Sequence, residues 1–195
     1  MDGQPTHAAP VVELRDLAER LQAMCLGRGW TVVTAESCTG GLVADSLTDI
    51  PGSSGYVLGG IVAYHDQVKV DQLAVPAQTI EAHGAVSVQV ARSMATGARE
   101  RLGSTFAVSV TGIAGPDGGS EAKPVGLTYV GVAGPDGVEV RRFAWSGDRL
   151  ANKRDSARAA LEMLIVAAEV AETAADAVSE RAQGSAPGAT PAGAR

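Results

Sequence analysis

The stretch Trp30-Thr-Val-Val-Thr-Ala-Glu-Ser-Cys-Thr-Gly-Gly41 decides the fold class. It opens on an apolar run, Trp30 to Val33, which predicts a strand over Thr31–Ala35. A small hydroxyl residue, Ser37, follows at the strand's end. The Gly40-Gly41 pair then leads into a helical pattern over Gly41–Thr48 carrying Leu42, Val43, Ser46 and Leu47. A strand that turns sharply into a helix is the opening unit of an α/β layered domain. It leaves Ser37 exposed at the sheet edge, close to backbone N–H groups, where acyl-transfer enzymes hold a nucleophile. The stretch is not a G-x-S-x-G elbow, and Ser37 has a second reading as the cap of the next helix.

Working outward, helix and strand patterns alternate. Val11–Leu26 has apolar residues at helical spacing and stops at Gly27 and Gly29. Tyr56–Tyr64 reads as a strand whose glycines imply a bend or a close backbone approach. Asp66–Leu73 reads as a helix begun by an acidic cap, and Thr79–His83 as a helical turn. Ser87 caps a helix running to Leu102, which Gly103 closes. Phe106–Val110 is a buried strand. Val125–Val132 and Val138–Trp145 form a hairpin around Gly134-Pro-Asp-Gly137. Asn152 to about Val178 is a long Ala-rich helix. The expected architecture is a layered α/β/α domain with a mixed sheet of about five strands over residues 11–178. Residues 1–10 read as a disordered lead-in, and the Ala/Gly/Pro-rich residues 179–195 as a disordered tail.

Composition narrows the function classes. Apolar residues make up 45% of the 195, enough for a core, but aromatics only 4%, so the core is built from Ala, Val, Leu and Ile. A net charge of −6 and a pI near 5.0 oppose a nucleic-acid binder, which needs a basic footprint. Two cysteines, Cys25 and Cys38, without a C-x-x-C spacing argue against a disulfide framework or a zinc site and fit a reducing cytoplasm. The N-terminus lacks a signal-peptide core, and no apolar run approaches the ~18–20 residues that span a bilayer. No membrane, nucleic acid, metal or cofactor is expected. A homodimer is, through the Ala-rich last helix or the hairpin's edge strand.

Four segments carry candidate chemistry. Ser37 needs a partner to take its proton. Ala63-Tyr-His-Asp-Gln-Val-Lys69 leaves a strand at the same sheet edge and offers Tyr64, His65 and Lys69. A lysine is a base only where its surroundings favour the amine, and the Val-rich setting of Lys69 predicts partial burial. Asp66 cannot orient its chain neighbour His65, so no Ser–His–Asp triad arises here, and His83 reads as a turn residue. The Gly-rich loop Thr111-Gly-Ile-Ala-Gly-Pro-Asp-Gly-Gly-Ser120 leaves a buried strand. Its amides can form an anion nest, with Thr111 as a hydroxyl donor, although it matches neither the P-loop nor the dinucleotide fingerprint. In Trp145-Ser-Gly-Asp-Arg149, Asp148 caps the last helix. Arg149 sits against the unfavourable end of that helix's dipole, a placement that a bound anion would explain.

Taken together, Thr34–Gly41, Asp49–Ser54, Tyr64…Lys69, His83–Ser87, Thr111–Gly119, Lys123–Gly126 and Ser146–Arg149 resemble the CinA C-terminal domain family over residues 11–172. Its characterised enzymes are nicotinamide-nucleotide amidases (PncC). The resemblance implies a cytoplasmic amidase that needs no cofactor. It would convert nicotinamide mononucleotide to nicotinate mononucleotide and ammonia in NAD recycling. It also implies a Ser/Lys dyad, with Ser37 as nucleophile, Lys69 as base, and Thr111 and Tyr64 beside them. Thr39, Gly40, Gly41, Gly112, Gly115 and Arg149 are then the expected substrate-binding residues. The chain departs from the family in carrying His65-Asp66 where relatives often have Ser-Asn. It also has no counterpart of the large N-terminal domain of full-length CinA proteins, so the stand-alone form is expected. Two other readings stay open: a serine amidase of other specificity, with Cys38 as a rival nucleophile, and a non-catalytic nucleotide- or partner-binding module.

Overall fold

The computed structural model describes residues 13–184. Six helices and five strands follow in the order α1 (Leu14–Arg28), β1 (Val32–Glu36), α2 (Leu42–Thr48), β2 (Val57–Val62), α3 (Asp66–Leu73), α4 (Ala77–His83), α5 (Val88–Leu102), β3 (Phe106–Gly112), β4 (Leu127–Gly134), β5 (Gly137–Ala144) and α6 (Arg149–Gly184). The strands form one mixed sheet in the order β2-β1-β3-β4-β5. β1 pairs parallel with β2 and β3, whereas β3–β4 and β4–β5 are antiparallel. This is the layered α/β fold expected above.

Alternation along the strands divides the core in two. Val32, Val108, Val110, Val130 and Val132 face α1, α2 and α6, in a cluster that includes Leu17, Leu21, Leu47, Leu161 and Leu164. Val33, Ala35, Ala107 and Ala133 face the other way, toward Leu73, Val90 and Met94 of α3 and α5. The small residues on this second face let α5 lie close to the sheet: Ser109 Oγ donates to the carbonyl of Ala91 on α5 at 2.6 Å. Few aromatics are needed. Phe106 fills the far end of the first cluster, edge-on to Trp30 with ring centroids 5.4 Å apart.

Boundaries shift by a few residues. α1 begins at Leu14, and Val11 lies outside the described residues, as do the lead-in 1–10 and residues 185–195 of the expected tail. α6 starts at Arg149 and continues to Gly184, so residues 179–184 are helical where tail composition pointed to disorder. α3 is capped by His65 rather than Asp66: its Nδ1 accepts from the Gln67 amide at 3.1 Å. Ser87 caps α5 as expected, accepting from Val90 N–H at 3.3 Å. The β2 glycines coincide with an irregularity in the register, Val32 opposite Val57 but Val33 opposite Gly59.

Candidate functional site

The chain reaches one edge of the sheet repeatedly, and Ser37 stands at its centre. Glu36 pairs with Val62 on β2 and with Val110 on β3. Extending that register by one residue sets Ser37 between Ala63 and Thr111. Two bonds fix it there: Ser37 N–H donates to the Val110 carbonyl at 2.9 Å, and Ala63 N–H to the Glu36 carbonyl at 2.7 Å. A tight turn follows, closed by Gly40 N–H on the Ser37 carbonyl at 3.1 Å. Gly40 and Gly41 both take left-handed backbone, φ 66° and 100°, which side chains oppose and glycine permits. That is why the turn needs two consecutive glycines.

The N-terminus of α2 is filled from within. Glu36, 1% exposed, sends its carboxylate into the helix end: Oε2 accepts from Gly41 and Val43 N–H at 3.0 Å each, and Oε1 from Ala44 N–H at 2.8 Å. A buried carboxylate is tolerable when several amides and a helix dipole meet it. The Gly41 amide, expected to be open to substrate, is therefore committed to the protein's own carboxylate. Sequence inspection passed over Glu36, although an acidic residue just before a Gly-Gly helix start was the available clue. Thr39, also in this turn, is fully buried and its hydroxyl has no hydrogen-bond partner.

Lys69 lies on α3, on the sheet face toward which strand alternation directs Ser37. Its side chain is 1% exposed, the burial anticipated from its Val-rich setting. Nζ donates to the Tyr64 carbonyl at 3.3 Å and to Asp66 Oδ1 at 3.0 Å. Since Tyr64 follows the residue flanking Ser37, α3 delivers the amine to the serine's edge. The nitrogen is hydrogen-bonded to Asp66 and Tyr64, not to Ser37. The ion pair with Asp66 was not foreseen. It arises because Asp66 and Lys69 are three apart on one helix face.

Thr111, also 1% exposed, donates to the Ala85 carbonyl at 2.9 Å and so pins the segment before α5 to the end of β3. Arg149 is a clasp: Nη1 donates to the Gly115 carbonyl at 2.7 Å and Nη2 to Tyr64 OH at 3.0 Å. That tie accounts for an arginine at an unfavourable helix end, and it joins the β2–α3 corner to the Gly-rich loop. Asn152, buried one turn on, holds the Ala114 carbonyl at 3.0 Å and the Gly147 amide at 3.0 Å. Asp148 caps α6 through Ala151 N–H at 2.8 Å. Ser37, Tyr64, Lys69, Thr111, Gly115 and Arg149 thus meet at one edge. His65 caps α3, and His83 ends α4. Burial pushes the Cys38 thiol up to about 12, with the Glu36 carboxylate adding to the rise and the Lys153 charge opposing it. Two surface cavities, of about 310 and 470 Å³, lie elsewhere, the first at the β4–β5 turn and the second between the start of α1 and α6.

The sequence matches the CinA C-terminal domain family over residues 14–182. The chain belongs to that family. CinA-like proteins of Geotalea daltonii and Chlorobaculum tepidum are 52% and 49% identical over 136 and 169 residues, 70% and 84% of this chain. Those stretches are 33% and 39% of the relatives' own lengths, so this CinA domain spans a third of one and about two-fifths of the other. Among solved structures, the competence/damage inducible protein CihA from Agrobacterium tumefaciens superposes with a TM-score of 0.78 at 43% identity, covering 82% of this chain and 98% of that one. A CinA superfamily protein from Escherichia coli gives a TM-score of 0.78 at 30% identity, covering 83% and 94%. No helix among the described residues is long and apolar enough to cross a membrane.

Proposed function

We propose that this CinA domain is an amidohydrolase that releases ammonia from the carboxamide of nicotinamide mononucleotide through Ser37 and Lys69. One observation carries the proposal. Strand register and the Lys69–Tyr64 bond bring a turn-borne serine and a buried lysine to the same strand ends. Family membership supports the substrate class.

The residues divide the work as follows. Lys69, as the amine, turns from Asp66 and accepts the Ser37 proton while Oγ bonds to the amide carbon. The amide's C=O electrons move onto oxygen. Cys38 and Thr39 N–H, which lie at the head of the turn beside the Cys38 sulfur, are the candidate donors for that oxyanion, since the Gly40 and Gly41 amides are committed within the fold. Such donors are worth about 3 kcal/mol each where they have been removed from other enzymes. Lysinium returns the proton to the leaving nitrogen, ammonia departs, and the oxyanion re-forms the carbonyl. Water then cleaves the acyl-enzyme by the same transfers. The Arg149 clasp fixes the Gly-rich loop over this edge.

The test is ammonia release from nicotinamide mononucleotide by wild type and Ser37→Ala, with folding checked by circular dichroism. Wild type is expected to release ammonia and nicotinate mononucleotide in equal amounts, and the variant to lose at least a thousandfold in kcat. No release by the folded wild type, or equal release by both, rejects the proposal.

A further inference from the structure

A mononucleotide brings a phosphate, and four cations line or approach the site edge: Lys69, Lys123, Arg149 and Lys153. Three are committed. Lys69 Nζ is bonded to Asp66 and Tyr64. Lys123 Nζ donates to the His83 carbonyl at 2.6 Å. Arg149 uses both terminal nitrogens on Gly115 and Tyr64. The α2 N-terminus, the other natural seat for an anion, already holds Glu36.

Lys153 is different. It stands on α6, one turn beyond Arg149, and is half-buried. Among the described residues its ammonium is in no ion pair and makes no hydrogen bond to the protein. The group does not point into solvent away from the site: Nζ lies 3.7 Å from where a Cβ on Gly40 would stand. Its charge also reaches the Cys38 thiol, where it favours the ionised form. Gly40 and Cys38 flank the turn that presents Ser37, so an uncompensated cation sits directly beside the nucleophile's loop. A half-buried ammonium with no partner in the protein keeps all its donors for an anionic ligand. The absence of a side chain at Gly40 leaves the space above it open.

We propose that Lys153 is the substrate's phosphate-binding residue, gripping the phosphate over Gly40 while the carboxamide reaches Ser37. This rests on the mononucleotide reading above and deepens it. A charge-assisted hydrogen bond contributes about 1.5–3 kcal/mol, which corresponds to roughly a 10- to 100-fold change in affinity.

The test separates binding from chemistry. In a Ser37→Ala background, which does not turn over, calorimetry gives Kd for nicotinamide mononucleotide and for nicotinamide riboside, with Lys153 intact, as Lys153→Gln, and as Lys153→Arg. Lys153→Gln is expected to shrink the mononucleotide's advantage over the riboside by about 10- to 100-fold, and Lys153→Arg to restore most of it. Circular dichroism and melting curves confirm the fold of each variant. An undiminished advantage, equal weakening of both ligands, or failure of the parent variant to bind the mononucleotide overturns the assignment. Absence of hydrolysis by wild type, with this binding pattern intact, would reject the amidase reading alone.

Discussion

Replacing Glu36 by Gln probes the support of the nucleophile turn most directly. The native carboxylate accepts three amide bonds at 2.8–3.0 Å from Gly41, Val43 and Ala44. α2 has seven residues, and its capping position, Gly41, offers no side chain. Glutamine is nearly isosteric but has one acceptor oxygen. Placed like Oε2, that oxygen keeps two bonds and turns an NH₂ group onto Ala44 N–H; placed like Oε1, it keeps one and orphans two. Each buried N–H without a partner costs about 1–3 kcal/mol, and the charge-assisted character of the surviving bonds is lost as well. A loss of about 3 kcal/mol follows, a large share of the ~5–15 kcal/mol typical of a domain. For a chain of this length each kcal/mol is worth ~2–4 °C, so the melting temperature should fall by about 6–12 °C. Urea unfolding followed by circular dichroism gives the free energy, and amide hydrogen exchange at Gly41, Val43 and Ala44 reports the loss locally. Stability within 0.5 kcal/mol of wild type, with unchanged protection at those amides, would refute the capping role of Glu36.

Three further outcomes are expected. The Cys38 thiol, pushed up to about 12 by burial, is almost wholly protonated at neutral pH; iodoacetamide at pH 7 should therefore leave it unlabelled and hydrolysis intact, with labelling quickening about tenfold per pH unit above that. Stoichiometric labelling at pH 7 accompanied by inactivation would make Cys38 the better nucleophile. Asp66→Asn removes the carboxylate that holds Lys69 Nζ at 3.0 Å, so the amine is freed toward Ser37 and kcat should rise in a steady-state ammonia assay; an unchanged kcat would show that the ion pair does not restrain the base. At Gly97 a Cβ would come 1.8 Å from the Leu73 carbonyl at the end of α3. Gly97→Ala should cost about 3 kcal/mol in urea unfolding and lower kcat by displacing Lys69, whereas an alanine variant of native stability would show that α3 moves freely.

Much of this was written locally in the sequence. The strand-turn-helix around Ser37, the Ser87 cap and the Gly103 stop follow from short-range rules, and each appears within a residue or two of its expected place. Lys69's burial was readable from its valine neighbours. What stayed hidden depends on contacts between distant segments. Glu36 looked like an ordinary polar residue, because its role exists only when the chain curls back to offer three amides. Arg149's misfit with its helix was visible, but its partners, Tyr64 and Gly115, lie 85 and 34 residues away. Lys153 gave no clue at all, since an uncommitted ammonium is defined by what surrounds it in space. The end of α6 was misjudged for a different reason: Glu180, Arg181, Ala182 and Gln183 are all good helix formers, and the composition of the tail as a whole weighed against them.

The hairpin of β4 and β5 has a consequence for direction. In the β1–β3 part, every crossover helix that packs back on the sheet starts where the strands end. After β3 the chain turns back along β4 and returns along β5, two reversals that cancel. α6 therefore also begins at the edge holding Ser37, with α2, α3 and α5. Four helix origins share one rim, and their aligned peptide dipoles oppose the negative potential of a chain carrying −6 overall. A single added or missing strand would have sent the longest helix off from the opposite rim, taking Arg149, Asn152 and Lys153 with it.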